Sequence, residues 1–237
     1  MCGDVKLSPR LMAVADLVRN AIDAGTADGT FADIGCDHGL LVAYLVKNKV
    51  VSYAVASDIK QGPVDAALRT FGEHGITNFV NTRLGPGLVI LAPGEVFSCA
   101  IAGMGGGTVI SILNESSEVV ASLGQLVLSP QRDIAEVRKY LHANGFYIHN
   151  EIITHDDGHY YFAIDARRGN EPPYDEVGYL YGQRLLERAD KALHAYLLWE
   201  RDRYAKIYDK IKTCIANSDT SIQYNLRNLE KSLVFFG

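Results

Sequence analysis

One ten-residue segment decides the fold of this chain: Thr30-Phe31-Ala32-Asp33-Ile34-Gly35-Cys36-Asp37-His38-Gly39. Its first half is largely apolar and predicts a short buried strand that ends at Gly35. Residues 40–46 follow as an apolar run of helical length, so the glycines fall in a strand-to-helix turn. Because glycine has no side chain, such a turn lets the main chain approach a ligand closely.

Strands and helices continue to alternate after this segment. Residues 147–154 and 160–166 flank Asp156-Asp157-Gly158, which is a β-hairpin signal. Apolar strands that alternate with helices predict an α/β fold with a parallel sheet covered on both faces. A mostly parallel sheet with a closing antiparallel hairpin resembles the Rossmann-like sheet of class I methyltransferases. The other predicted strands lie at 50–57, 78–82, 97–102 and 123–128, and the predicted helices at 40–46, 63–73 and 134–144.

The glycine pattern of the first turn restricts the ligand. From Gly35 it reads G-x-D-x-G, whereas the dinucleotide fingerprint is G-x-G-x-x-G. Asp37 would repel a pyrophosphate at the helix N-terminus, which argues against a nicotinamide-dependent dehydrogenase. The same acid suits a cationic ligand such as S-adenosylmethionine, which carries an ammonium and a sulfonium but no phosphate. A tight turn capped by Asp37, without a ligand, is the alternative interpretation.

Two further features stand at the ends of later strands. Asp58 follows the second strand, where an acid commonly accepts hydrogen bonds from a ribose diol; a helix N-cap is the alternative. The stretch 103–107, Gly-Met-Gly-Gly-Gly, follows the fourth strand and predicts backbone held close to a cofactor or substrate. Because the carboxyl ends of parallel strands line one crevice, we expect these features and residues 33–39 to share one site.

Charge and composition divide the chain in two. Its 237 residues have a net charge of −5. Residues 1–166 carry 11 Lys and Arg against 18 Asp and Glu, whereas residues 167–237 carry 12 against 10. The acidic total argues against a uniformly basic nucleic-acid-binding protein but leaves room for a local basic surface. With the Pro- and Gly-containing stretch 167–173 as the boundary, we expect domains at 1–169 and 170–237.

The second domain is predicted to be a helical hairpin. Apolar residues recur at spacings of three and four from Tyr181 to Cys214, residues 216–220 break the pattern, and residues 222–235 predict a second helix. Basic side chains on the first stretch either track RNA phosphates or form a solvated face, since acids interleave with them. These residues are Arg184, Arg188, Lys191, Arg201, Arg203, Lys206, Lys210 and Lys212.

The sequence carries no signal for a membrane segment, a leader peptide or a metal site. No apolar run approaches the ~20 residues of a membrane-spanning helix, and the N-terminus lacks the basic-then-apolar layout of a signal peptide. Cys2, Cys36, Cys99 and Cys214 have no CxxC spacing. We therefore expect four reduced thiols in a cytoplasmic protein.

The motifs, in their order and spacing, resemble those of the bacterial tRNA (adenine(22)-N1)-methyltransferases, the TrmK family. The pairing of the stretch 33–38 with Ala-Gly-Met-Gly-Gly at 102–106 carries most of the likeness. The resemblance implies S-adenosylmethionine as cofactor, tRNA as partner and a coiled-coil C-terminal domain. We expect a monomer or weak dimer that binds neither metal nor membrane. The other matching stretches are 7–11, 56–59, 62–63, 83–85, 87–88, 128–131, Arg138, 144–145 and 160–161.

The resemblance implies roles for individual residues in the cofactor site. Asp58 would hold the ribose hydroxyls, Ile59 would face the adenine, and residues 103–105 would separate the sulfonium methyl group from the target base. Arg10 would lie near the cofactor carboxylate or the substrate backbone. The full cofactor-binding set is Arg10, Asp33, Gly35, Cys36, Asp37, His38, Asp58, Ile59, Gly85, Gly103, Met104 and Gly105.

The chain departs from the family pattern at one position of the nucleoside end. Pro86 stands where family members usually carry an acid, in the pattern R-L-G-D-G-L. That acid is expected to contact the cofactor adenine. Backbone N–H groups of residues 84–87 are the alternative donors, although the proline itself supplies none.

The implied reaction needs little beyond positioning. Adenine N1 has an available lone pair, so in-line placement at ~3–3.5 Å from the methyl group is the main requirement, and a general base at His38 is not demanded. Asp33, Asp37 and Gln131 are the candidate catalytic residues, which would orient the base or stabilise its positive charge. The alternatives are a catalytically inactive RNA-binding protein with this fold and a methyltransferase that acts on another substrate.

Overall fold

The computed structural model describes residues 4–23, 25, 29–212 and 220–237. The chain divides into two compact units, Met1–Glu171 and Pro172–Gly237. The first unit is built on a seven-stranded sheet, and the second unit is helical. None of the helices in the described ranges is long and apolar enough to cross a lipid bilayer.

The sheet of the first unit has the order β3-β2-β1-β4-β5-β7-β6. The strands β1 to β5 pair in parallel, and β7 runs antiparallel to both of its neighbours. This arrangement confirms the predicted mostly parallel sheet with a closing antiparallel hairpin. The strands are β1 (Thr30–Ile34), β2 (Tyr53–Asp58), β3 (Val80–Leu84), β4 (Ser98–Ala102), β5 (Gln125–Ser129), β6 (Phe146–Asp156) and β7 (His159–Arg168).

The hairpin between β6 and β7 forms where its turn residues predict it. Asp157 and Gly158 both have positive φ angles, of 46° and 76°. Two such residues in succession favour the primed turns that match the twist of paired strands. Because β7 runs antiparallel to β5, the hairpin tip lies at the same edge of the sheet as the carboxyl ends of the parallel strands.

Helices cover the sheet and bury its apolar strands. Every residue of β5 is buried, and β1 is buried from Phe31 onwards. Such strands have no solvated face, as expected of a parallel sheet between helical layers. Sequence analysis did not predict the helices α1, α4 and α5. The helices of this unit are α1 (Pro9–Asp23), α2 (Leu40–Lys47), α3 (Gln61–Glu73), α4 (Gly106–Glu115), α5 (Ser117–Ser122) and α6 (Ile134–Ala143).

A buried ion pair joins α6 to the hairpin. Arg138 Nε donates to a carboxylate oxygen of Glu151 at 2.7 Å, and both side chains are fully buried. The Arg138 guanidinium also lies 5.3 Å from the ring centroid of Phe162 on β7. Because buried charges must be paired to be tolerated, this contact fixes the position of α6 on the sheet.

The second unit contains α7 (Glu176–Tyr181), α8 (Gln183–Glu187), α9 (Lys191–Lys212) and α10 (Thr220–Leu233). It confirms a helical C-terminal region, in which α9 and α10 pack against each other. The prediction of one continuous helical stretch from Tyr181 was wrong, because Gly182 and Ala189 have positive φ angles. The Asp190 carboxylate then starts α9 by accepting two backbone N–H bonds. Most of the predicted break at 216–220 lies outside the described residues.

Candidate cofactor site

The turn after β1 is built by its backbone. The N–H groups of Gly35 and Cys36 both donate to the Ser57 carbonyl at 2.8 Å, which ties the end of β1 to the end of β2. The N–H of Gly39 donates to the Cys36 carbonyl at 2.7 Å and closes the turn. Gly39 has a φ of 68°, and a Cβ there would lie 2.6 Å from the Phe71 ring. Only glycine fits position 39, which explains why the G-x-D-x-G pattern ends in a glycine.

A cavity of about 470 Å³ opens above this turn, at the carboxyl ends of β1, β2 and β4. This is where ligands bind in open α/β sheets. The cavity brings together most of the residues that the sequence predicts for the site. Those that line it are Arg10, Asp33, Gly35, Cys36, Asp37, His38, Asp58, Ile59, Gly103 and Gln131.

Asp33 is the buried acid of the cavity. Its residue surface is 5% exposed, and its carboxylate has no hydrogen-bond or ion-pair partner in the part of the chain that the structure describes. Burial, and secondarily the charge of Asp58, raises the pKa of Asp33 from 3.8 to about 7. A buried carboxylate without a counter-ion is costly, so a cationic ligand bound beside it would lower its pKa and be held by its charge.

Asp58 and Ile59 form the wall at the end of β2. One carboxylate oxygen of Asp58 accepts the N–H of Lys60 at 3.0 Å, which orients the side chain and leaves lone pairs for a ligand. Ile59 is 66% exposed although it is apolar. An acid followed by an exposed aliphatic side chain is able to bind a diol and a flat ring on one ligand.

The opposite wall is formed by the loops that follow β4 and β5. Three backbone hydrogen bonds join them: Gly103 N–H to Ser129 O at 3.1 Å, Gln131 N–H to Met104 O at 2.9 Å, and Gly106 N–H to Arg132 O at 3.0 Å. Gly103 and Gln131 line the cavity. The main chain of this wall is therefore held by its own hydrogen bonds, independently of the side chains.

Arg10 connects the cavity to the hairpin tip. Its backbone N–H donates to the Asp156 carboxylate at 3.4 Å, and its guanidinium carbon lies 5.2 Å from the Tyr161 ring centroid.

In the turn above β1, His38 Nε2 lies 3.7 Å from the Asp37 carboxylate. The side chains of both residues are mostly exposed, at 66% and 74%. They are open to a ligand, whereas Asp33 is enclosed.

Three predicted cofactor residues do not line the cavity. Gly85 lies behind Asp58, where its N–H donates to the Asp58 carbonyl at 3.0 Å. The Met104 side chain lies against Gly35, and Gly105 lies beneath the side chain of Arg132. Pro86, the departure from the family pattern, precedes a 3₁₀ turn at Gly87–Ile90 and is also absent from the cavity wall.

Sequence reasoning missed six lining residues, most of them next to residues that it identified. Leu40 and Leu41 directly follow the glycine turn, and Lys60 follows Ile59. Their position beside the motifs was the only signal that would have identified them. The missed set is Leu11, Leu40, Leu41, Lys60, Pro63 and Ala102.

The described residues contain no group of three or more His, Cys, Asp or Glu side chains placed to hold a metal ion. Cys36 and Cys99 are buried and free, and burial raises the pKa of both thiols. Cys2 and Cys214 lie outside the described residues. Neither buried thiol is suited to act as a nucleophile.

The basic stretch of the second unit is only partly available to a partner. Four of its arginines lie within 3.0–3.5 Å of an acidic side chain on the same or an adjoining helix segment, in the pairs Arg184–Glu187, Arg188–Asp190, Arg201–Asp202 and Arg203–Glu200. The side chains of Lys210 and Lys212 are outside the described set. Arg201–Asp202 is an exposed pair, which exchanges readily with solvent or phosphate, whereas the Glu200 side chain that pairs with Arg203 is only 11% exposed.

Comparisons with known proteins agree with this geometry. Residues 7–164 match the family model described as "Methyltransferase domain". The tRNA (adenine(22)-N(1))-methyltransferase of Bacillus subtilis is 30% identical over 214 residues, which cover 88% of this chain and 87% of the relative. The crystal structure of B. subtilis TrmK superimposes with a TM-score of 0.78 and 27% identity, over 98% of both chains.

A second solved structure extends the agreement in fold. M. capricolum TrmK, solved in complex with the cofactor product S-adenosyl-homocysteine, superimposes with a TM-score of 0.81 at 24% identity, over 98% of this chain and 99% of that chain. The extent of the matches confirms the resemblance read from the motifs. The chain belongs to the family of bacterial tRNA (adenine(22)-N1)-methyltransferases.

Proposed function

We propose that this chain is an S-adenosylmethionine-dependent methyltransferase that methylates N1 of adenine 22 in tRNA. The observation that carries the proposal is the unpaired, buried Asp33 in a glycine-lined cavity, in a chain that belongs to this family. A cavity with this acid favours a ligand that is positively charged where it meets the first turn.

The cavity residues fit S-adenosylmethionine. The volume of about 470 Å³ lies in the range of small-molecule sites. Asp33 would bind the cationic methionine end, Asp58 the ribose hydroxyls and Ile59 the adenine ring. When bound, S-adenosylmethionine supplies an electrophilic methyl group on its sulfonium.

The chain's own task is to orient the target base and to exclude water. Gln131 and the backbone of Gly103 stand on the wall opposite Asp58 and would hold the adenine edge. The N1 lone pair is free in neutral adenine, so no side chain has to remove a proton before transfer. Asp33 and Asp37 would stabilise the positive charge of 1-methyladenine as it develops. His38 would contact ligands without acting as a base.

The substrate base has to be turned out of the tRNA fold, which costs a few kcal/mol. The basic side chains of α9 would contact RNA phosphates. We place the reaction in the cytoplasm, with the protein as a monomer or weak dimer that needs no metal and contacts no membrane.

A labelled methyl-transfer assay tests the activity. The purified protein, with methyl-labelled S-adenosylmethionine, is given two unmodified tRNA transcripts that differ only in adenine or guanine at position 22. We expect label in the adenine transcript alone, recovered as 1-methyladenosine after digestion. An absence of label in any adenine-containing tRNA would reject the proposed activity.

The same assay, together with direct binding measurements, separates the two alternatives. Binding of S-adenosylmethionine and tRNA without transfer would identify a catalytically inactive RNA-binding protein with this fold. Transfer of label to a protein or small molecule, but not to tRNA, would identify a methyltransferase with another substrate.

A further inference from the structure

We infer that Arg132 anchors an RNA phosphate at the mouth of the cofactor cavity and thereby positions the target nucleotide. The inference rests on the proposed function, because it presupposes an RNA substrate. Arg132 directly follows Gln131, which lines the cavity, and both residues belong to the loop after β5.

The main chain of Arg132 is fixed. Its carbonyl accepts the N–H of Gly106 at 3.0 Å, and the N–H of the preceding Gln131 donates to Met104 O at 2.9 Å. A Cβ on Gly106 would lie 2.7 Å from the Arg132 carbonyl oxygen, so the two loops are in close contact here. The Cα of Arg132 is therefore held at a constant position relative to the cavity.

The side chain of Arg132, in contrast, has no structural task. It is 79% exposed, and its one charged neighbour among the described residues is Asp133, 3.8 Å from Nε and 54% exposed itself. The guanidinium lies above Gly105, where a Cβ would stand 2.9 Å from Nε. By contrast, Arg138 of the next helix is fully buried and forms an ion pair with Glu151. An arginine in a rigid loop without such a partner is available to a ligand.

Electrostatics indicate which ligand this would be. The cavity presents Asp33, Asp37 and Asp58, whose charges favour the cofactor but repel the phosphates of an incoming RNA. A guanidinium on the opposite wall offsets that repulsion where the RNA enters. Its planar fork binds two phosphate oxygens at once, which fixes orientation as well as distance.

The test compares wild type with Arg132→Ala, Arg132→Lys and the control Arg69→Ala, which removes an exposed arginine from α3. Binding of the adenine-22 transcript is measured by fluorescence anisotropy from 50 to 200 mM salt, and methylation by steady-state kinetics. For Arg132→Ala we expect about a tenfold rise in the tRNA Kd and KM, and a slope of log K against log salt that is smaller by about 1. Arg132→Lys should restore the slope but only part of the affinity.

The affinity for S-adenosylmethionine and the melting temperature should stay at the wild-type values in all three variants. An unchanged tRNA affinity and salt slope in Arg132→Ala, or an equal loss in Arg69→Ala, would overturn the inference and leave the proposed function intact. If the wild type binds tRNA without methylating it, the function fails while the binding comparison still decides the role of Arg132. A wild type that binds no tRNA would overturn both.

Discussion

The terminal methyl group of Met104 lies where Gly35 would carry a side chain, because a Cβ built on Gly35 would overlap Met104 Cε. Gly35 ends the strand that leads into the first turn, and Met104 belongs to the glycine-rich loop after β4. The contact brings the two motifs of the sequence together beside the cavity, which Gly35 lines. The φ of 77° is the main reason that residue 35 is glycine, because the flexible end of Met104 can move away from a Cβ.

Replacement of Gly35 by alanine should damage cofactor binding. The φ of 77° at this position is strained for alanine, which costs about 1–3 kcal/mol, and the Met104 methyl group would have to move. We expect the Kd for S-adenosylmethionine to rise at least tenfold, measured by calorimetry, with a lower melting temperature. Gly72→Ala is the matched control, since a Cβ on Gly72 meets nothing within 4 Å and should stabilise α3 slightly. Wild-type affinity and stability in Gly35→Ala would contradict this account.

The affinity for S-adenosylmethionine should rise between pH 6 and pH 7.5. In the empty cavity the pKa of Asp33 is about 7, so the carboxyl is largely protonated at pH 6 and attracts a cation poorly. Each pH unit below that pKa should weaken binding up to tenfold. Asp33→Asn should bind weakly and lose most of this dependence. A wild-type affinity that does not change over this range would remove Asp33 from the cation site.

The same pKa has the opposite effect on stability. The carboxyl has a pKa of 3.8 when exposed and about 7 in the fold, so the folded protein binds more protons between these values. Stability of the empty protein should therefore fall as pH rises from about 4 to 7, by at most about 4 kcal/mol. Asp33→Asn removes this penalty. Urea unfolding at pH 8 should show the variant to be more stable than wild type; equal or lower stability would contradict the prediction.

Replacement of Asp58 by alanine should weaken cofactor binding far more than it lowers stability. Within the described part of the chain the Asp58 carboxylate accepts one hydrogen bond, from Lys60 N–H at 3.0 Å, so the loss in stability should stay near 1 kcal/mol. The Kd for S-adenosylmethionine should rise tenfold or more. Because the Asp58 charge helps to raise the pKa of Asp33, the pH dependence of binding should also move to lower pH. Asp65→Ala, an exposed acid on α3, is the control; unchanged affinity in Asp58→Ala would exclude Asp58 from the site.

Separation of the buried ion pair should destabilise the first unit. Glu151→Gln leaves Arg138 fully buried without its counter-charge, at a cost of about 3–5 kcal/mol in the free energy of unfolding. The double variant Arg138→Met, Glu151→Leu should be closer to wild type, because it removes both charges together. Urea denaturation measures both. A double variant less stable than Glu151→Gln would show that the pair contributes net stability.

The strands and the first turn could be predicted because their signals are local. The segment 30–39 carries its own strand, glycines and helix start, and Asp157-Gly158 carries its own turn. The breaks in the C-terminal helices were missed for a physical reason. Ala189 adopts a φ of 48°, which alanine rarely does and which apolar spacing cannot reveal. Only the capping carboxylate of Asp190 marks that break.

The site could be predicted where a motif provides the residue, and not where the fold alone brings it in. Asp33, Asp58 and Gly103 stand at strand ends and were found by that rule. Leu11 enters the cavity from α1, beside Arg10; residues 7–11 match the family pattern, but the strand-end rule does not point to a residue on a helix. The raised pKa of Asp33 follows from burial and from the nearby charge of Asp58, and both exist only after β1 and β2 are paired side by side.

The backbone bonds between the loops after β4 and β5 have a consequence for how this enzyme changes over evolutionary time. Gly103, Gln131 and Gly106 are held by hydrogen bonds between main-chain atoms. A mutation that replaces the side chain at position 131 or 132 therefore leaves these hydrogen bonds in place. If Gln131 and Arg132 contact the RNA as we propose, single substitutions at these two positions would alter RNA binding while the main-chain hydrogen bonds between the two loops stay in place.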